Sequence, residues 1–442
     1  MADLTPRAPG LFHPSAWLYR AIILIIAGLL TYGSYFAYDS IGALSPTLIK
    51  EWQTQRESIG WLYTLYSIAG IVSVFAGGVL VDRMGTRWSS LFFSALIVIG
   101  ACIVALAPSV AVACIGRFIF GAGSESLTVA QNSICTRWFR DRQLALSFGV
   151  TISISRLGTL FSFNSESLIA NRFGWQGALW AAAGFCVLSL IANLVYGAMD
   201  SHGEKVLGLT EGGTDDKIVL ADIKRFGAPF WYVVLLCGTF YSAIFPFTAL
   251  STDFFHEKWG LPLTTDTGGG FIAAVFQDFL HMLSTAPGVS SMIIFASMLL
   301  APFAGGVVDR IGRRGTFMVV GSLLMIPCYL VLAFTAIPPQ FAMFLLGASF
   351  VLVPATMWPA VPLVVDKDRV GTAFGIMTTV QNIGLALFSW LNGWLRDLTH
   401  NYTASMMMFA ILAAVGFVFA ILLRLADKRS GSVLERGSRE TA

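Results

Sequence analysis

About twelve apolar runs divide the chain, beginning near residues 20, 58, 88, 110, 142, 175, 228, 288, 314, 339, 370 and 402. Each is close to the length of a bilayer crossing. In hydrocarbon every backbone N–H and C=O needs a partner inside its own segment, so runs of this kind fold as helices. Only 12% of the 442 residues are charged, against about 25% in an average soluble domain. The expected fold class is an all-α membrane protein with twelve transmembrane helices.

The charges that remain sort by side. Lys50, Arg56, Arg172, Lys258 and Arg396 fall on one face, and Arg117 and Arg156 fall within helices. The other Lys and Arg lie on the face shared by both termini, which the positive-inside rule assigns to the cytoplasm. A bacterial cytoplasmic (inner) membrane is the expected location. The first span, preceded by a polar tail, is expected to act as its own insertion signal. The net charge of +3 follows the loops, so the bilayer is a partner and nucleic acid is not. No cysteine sits in a CxxC pair, and the five histidines lie away from the midplane. Neither a cofactor nor a metal is expected, and no nucleophile–base set argues for an enzyme.

Two internal matches reveal a duplication. Asp82-Arg83-Met84-Gly85-Thr86-Arg87 returns 227 residues later as Asp309-Arg310-Ile311-Gly312-Arg313-Arg314. LSFGVTISISRLG (146–158) returns as TAFGIMTTVQNIG (372–384) at nearly the same offset. A six-helix unit in parallel topology has been copied. The expected organisation is a tail over 1–19, one bundle over 20–198, a linker over 199–227 with a short amphipathic helix, a second bundle over 228–426, and a tail over 427–442. The second bundle carries an insertion over 261–284. Its apolar piece, Phe271 to Leu283, is too short to span and is expected on the outer surface as a cover or a spacer.

Two ions lie deep in these runs. At about 1.5 Å per residue, Glu125 is roughly 16 Å from Arg137, and Arg156 roughly 21 Å from Arg142. Both lie near the middle of a core about 30 Å thick. A charge there costs about 2.5–3.5 kcal/mol on insertion scales and needs a partner, water or a ligand. Two readings follow: a structural ion pair between helices, or a site for a solute bearing both charges. The repeat places Asn382 opposite Arg156 and Val351 opposite Glu125. One half thus holds the charges, and the other answers with Gln381, Asn382, Tyr241 and Trp358. Tyr38, Tyr63 and Tyr66 suit either a wet cavity wall or an interface belt. Asp39 lies toward the outer mouth, as a gate, a ligand contact or a cap. Arg117, eight residues outward of Glu125, packs or pairs near the outer end, or, as its Arg-xxx-Gly-x-Gly pattern resembles a known proton-handling motif, handles protons.

The doubled DRxGxR-type loop in a chain of twelve helices resembles the signature of the major facilitator superfamily. Asp82, Arg83, Asp309 and Arg310 would then serve as an intracellular latch between helices. GSYFAYD, FGAGSESLTVAQN, SRLG, YSAIFPF, MWPAV and FGIMTTVQNIGLA resemble the dipeptide-transporting branch of that superfamily. The resemblance implies two rocking six-helix bundles and facilitated movement (uniport) of dipeptides by a functional monomer. It also implies an acidic residue of helix 4 and an arginine of helix 5 gripping the zwitterion; those positions match Glu125 and Arg156. The alternatives are a proton-coupled transporter of an organic anion, sugar or drug, and a membrane sensor or scaffold.

Overall fold

The computed structural model describes residues 13–139, 143–208, 223, 225–265, 270–366, 369–429 and 431–436, apart from the side chains of residues 145, 305, 306 and 309. Twelve α-helices are described: α1 (Trp17–Ala43), α2 (Ser45–Glu51), α3 (Arg56–Leu106), α4 (Val110–Phe139), α5 (Leu144–Leu207), α6 (Ala228–Trp259), α7 (Phe271–Leu280), α8 (Ala286–Ile311), α9 (Arg314–Phe334), α10 (Gln340–Val364), α11 (Val370–Thr399) and α12 (Thr403–Arg429). Ten of them are long and apolar enough to cross a membrane. The other two are the short α2 and α7.

Ten helices give twelve crossings because two of them fold back. With 51 residues, α3 would be about 77 Å long if straight, more than twice a hydrocarbon core. It reverses at Gly85, where φ is 74°. The 64-residue α5 does the same at Gly174, where φ is 78°. These left-handed angles suit glycine, which has no Cβ to clash. The second half places left-handed backbone at the matching points, with φ of 70° at Gly312 and 56° at His400. The duplication read from the loop motif is thus repeated in the backbone.

One core lies within the first half, and a second fills the other half and continues into far-side residues of the first, Ile41, Leu48, Ile59 and Leu62 among them. Phe36, Phe93, Phe120, Leu127 and Tyr196 pack in the first, and Phe240, Phe247, Tyr329, Phe350 and Phe409 in the second. At the ends, α5 runs on to Leu207, into the stretch expected as linker; residues 209–222 and 224, with the expected amphipathic helix, lie outside the described residues. The insertion contributes α7, which lies against the flank of α5 through Phe271–Phe173 and Phe279–Phe161 ring contacts. Buried Asp278 ties it down by accepting hydrogen bonds from Thr264 Oγ1 (2.7 Å) and the Thr265 N–H (2.6 Å).

Candidate functional site

The halves meet on the face away from the termini, called here the far face. Arg56 at the start of α3 pairs with Asp253 of α6 at 2.9 Å. Asp397 accepts from the Glu57 N–H at 2.8 Å, and Trp390 Nε1 donates to Glu57 Oε1 at 2.7 Å. Deeper, Thr64 Oγ1 donates to the Ala386 carbonyl (2.7 Å) and Asn164 Nδ2 to Ser291 Oγ (3.0 Å). Two glycines let the backbones close: a Cβ on Gly60 would lie 2.4 Å from the Ser389 carbonyl oxygen, and one on Gly393 equally close to that of Arg56. Toward the termini no hydrogen bond or ion pair crosses between the halves among the described residues. Asn132, two turns below Glu125 on the same face of α4, is exposed, as are Ile152 and Ser153 below Arg156. Among the described residues the halves are therefore tied on the far side and not on the termini side.

Glu125 points into the junction of the halves. Its Oε1 accepts a 2.8 Å bond from Tyr66 of α3, whose hydroxyl also lies 3.1 Å from Ser124 Oγ. Beside it stands Asn382 of α11: a Cβ on Gly70 would meet Glu125 Cγ and Asn382 Oδ1, each at 3.0 Å. Gly70 leaves the room in which a carboxylate of one half and an amide of the other come together. The Asn382 Nδ2 donates to the Thr378 carbonyl at 3.1 Å, while its buried Oδ1 has no hydrogen-bond partner.

Arg156 faces the second half differently. Its guanidinium lies 4.4 Å over the ring of Phe350 on α10, a cation–π contact. Phe350 in turn touches Tyr241 and Phe245 of α6, and Trp358 Nε1 donates to the Tyr241 hydroxyl at 2.9 Å. Arg156 thus rests on an aromatic wall of the opposite bundle. No ion pair joins Glu125 to Arg156 among the described residues, and both are only partly buried. Tyr35 of α1 lies within electrostatic reach of both.

Arg117 is placed elsewhere. It is 2% exposed, lies within 5.4 Å of the rings of Tyr38, Tyr63, Tyr66 and Phe120, and donates to the Ala37 and Tyr38 carbonyls at 3.2 and 3.4 Å. The three tyrosines therefore form a cage around a cation, and Tyr66 links that cage to Glu125. Asp39 is buried and accepts a 2.6 Å bond from Thr159, one turn beyond Arg156. Gln381 accepts from the Cys237 thiol at 3.7 Å. Asp82, Arg83 and Arg310 are exposed, and no ion pair involves them among the described residues; the Asp309 side chain lies outside the described residues.

Phe350 and Phe245 are members of this wall that sequence reasoning missed. A signal existed: the repeat that aligns Glu125 with Val351 aligns the preceding residue with Phe350. A groove of about 440 Å³ lies away from this site. It lies on the flank between α5 and α7, lined by Phe161, Ile169, Phe173 and Phe271, and carries no charge.

Comparison with known proteins agrees with this architecture. The sequence model of the Major Facilitator Superfamily matches residues 24–285 and 269–441. The lysosomal dipeptide transporter MFSD1 of Homo sapiens is 31% identical over 456 residues, covering 98% of this chain and 93% of that protein. Its counterpart in Danio rerio is 33% identical over 442 residues, covering 96% and 91%. A hexuronate transporter of Bacillus subtilis is 25% identical over 435 residues, covering 91% and 94%. The crystal structure of the nucleoside transporter NupG superposes with a TM-score of 0.67 at 15% identity, covering 91% of this chain and 98% of that one. With a duplicated six-helix unit, a family match across nearly its whole length and relatives that are transporters rather than enzymes, this chain belongs to the major facilitator superfamily.

Proposed function

We propose that the protein moves small zwitterionic solutes, dipeptides foremost, by alternating access and without coupling to an ion gradient. One observation carries the reading: Glu125 and Arg156 reach the junction of the halves without pairing to each other. A solute with an ammonium at one end and a carboxylate at the other answers both. The carboxylate meets the arginine fork and the ammonium meets Glu125, in a site drier than water where such contacts are strengthened. Tyr66, Tyr241, Trp358, Gln381 and Asn382 border the space, with Tyr38 and Tyr63 behind Tyr66 in the Arg117 cage, and the full-length relatives named as dipeptide transporters support the same class.

The far face is then the exterior and the termini lie in the cytoplasm of a cell whose plasma membrane holds the protein as a monomer. The structure is the inward-facing state. Asp82, Arg83, Asp309 and Arg310 latch the cytoplasmic ends when the halves rock the other way, which accords with their exposure here. Asp39 and Arg117 steady α1 during the change.

The test is uptake into proteoliposomes of a free dipeptide beside its N-acetylated and C-amidated forms. Blocking either end is expected to abolish competition; unchanged uptake of the N-acetylated form overturns the reading. A second reading, proton-coupled anion transport, is favoured by Asp39, a buried carboxyl bonded to Thr159, which lies one turn from Arg156 on α5. Accumulation of dipeptide against its own gradient under an imposed pH difference would select that reading over uniport.

A further inference from the structure

Glu166 has no part in the site above, yet it is the most isolated carboxyl among the described residues. It is 0% exposed, and no protein group hydrogen bonds to either carboxyl oxygen. It continues a polar stripe on α5 that faces α1. Along that stripe Ser155 meets Thr31 (2.6 Å) and Thr159 meets Asp39 (2.6 Å). Ser162 follows, buried and unpartnered, and Glu166 ends the row one turn further out. Spacings of four, three and four residues keep all four on one helix face.

The residues on either side of Glu166 belong to the far-face seal. Asn164 crosses to Ser291 of the other half. Ser167 donates to the carbonyl of Ala43, the last residue of α1, at 3.3 Å. Gly42 of α1 rests against the Thr248 carbonyl of α6, where a Cβ would be 3.0 Å away. Parting the halves on this face breaks the Asn164 tie and the Gly42–Thr248 contact, the two cross-half supports that bear on the α1–α5 seam.

The charged and titratable groups around the seam are few. From α1 there are Asp39, already bonded to Thr159, and Tyr32, Tyr35 and Tyr38; from the adjoining α2 there are Lys50 and Glu51. From α4 there is Arg117, caged by tyrosines and held by α1 carbonyls. From α7 there is Asp278, bonded to Thr264 and Thr265. The stretch of α8 from Ala286 to Ser297 has none. Within α5 there are Arg172, Cys186 and Tyr196, and the facing part of α3 offers Cys102. None of them hydrogen bonds to Glu166.

We propose that Glu166 is a proton-binding site that locks the far-face seal: it carries a proton while the halves are closed there and releases it to the far side when they part. An ionised carboxylate without a partner is far more costly to bury than the neutral acid. Water entering the opened seam removes that cost. The sign follows by linkage. Protons bind the sealed state preferentially, so acid on the far side favours the seal and alkali favours opening. The proton enters and leaves from the same side, so the device gates transport without driving it.

This inference rests on the two-state reading above but not on the identity of the solute, and its first readout needs no solute. Infrared spectroscopy of the purified full-length protein is expected to contain a protonated-carboxyl band that persists in D39N and is lost in E166Q. In proteoliposomes, the ratio of far-open to sealed protein, read from the distance between spin labels across the far face, is expected to rise with far-side pH by up to about tenfold per unit, the slope of one proton. E166Q, a permanent neutral mimic, should flatten that response. N164A leaves the carboxyl intact while cutting the cross-half tie, and should weaken the band at a given pH. A band unchanged in E166Q, or a full pH response in that variant, overturns the proposal; if E166Q does not fold, an undiminished band in N164A does so.

Discussion

Arg156 shows how little a mid-membrane charge needs when the opposite bundle supplies an aromatic face. Its contact with Phe350 offsets part of the burial cost, about 0.5–2 kcal/mol for a cation over a ring, while its donors stay available. R156K keeps the charge but loses the planar fork and the ring stacking. Dipeptide affinity is expected to fall about tenfold, roughly 1.4 kcal/mol, read by thermal shift or competition; wild-type affinity in R156K would remove the bidentate role. At Glu125 the partner to remove is the Tyr66 hydroxyl. Y66F deletes a hydrogen bond to a charged group, a loss of about 1.5–3 kcal/mol. Since Tyr66 also walls the Arg117 cage through its ring, which Phe keeps, Y66F is expected to impair transport while lowering the melting temperature by only a few degrees.

At the scale of elements, α3 and α11 close the far face because glycine lets their backbones touch. G393A would drive a Cβ to 2.4 Å from the Arg56 carbonyl oxygen, and overpacking of that kind costs about 1–3 kcal/mol. Here the strain is relieved by parting the halves, so G393A is expected to shift the population toward the far-open state. Double electron–electron resonance between spin labels across the far face reads this directly. G78A is the control, since a Cβ there meets nothing within 4 Å. An equal shift in both variants would sever the link between backbone contact and seal. The turns at Gly85 and Gly174 belong to this scale too. The doubled loop motif announced the first of them, because a tight left-handed turn and its basic flank are local features. The placement of α7 was not announced. Its apolar face was legible, but the Phe161 and Phe173 rings it chose lie about a hundred residues away in the chain.

For the whole molecule, the distribution of ties predicts which side admits water. Cross-half bonds run from Arg56–Asp253 inward to Thr64–Ala386 and stop near the level of Glu125. A cysteine at exposed Asn132 is expected to react with a polar maleimide added on the termini side, and one at buried Ser389 to resist it from either side. The reverse pattern would mean that the other face is the sealed one. Hydropathy, the repeat and the two mid-span ions were legible in the chain by itself, and with them the class and the duplication. These depend on periodicity and on the cost of charge in hydrocarbon, which any stretch of sequence carries locally. Only the tertiary structure decided that Glu125 meets Tyr66 and Asn382 rather than Arg156, that Arg117 sits in a tyrosine cage, and that Phe350 supports the arginine. Those pairings depend on how helices rotate and cross, which is settled by packing between segments far apart in the chain.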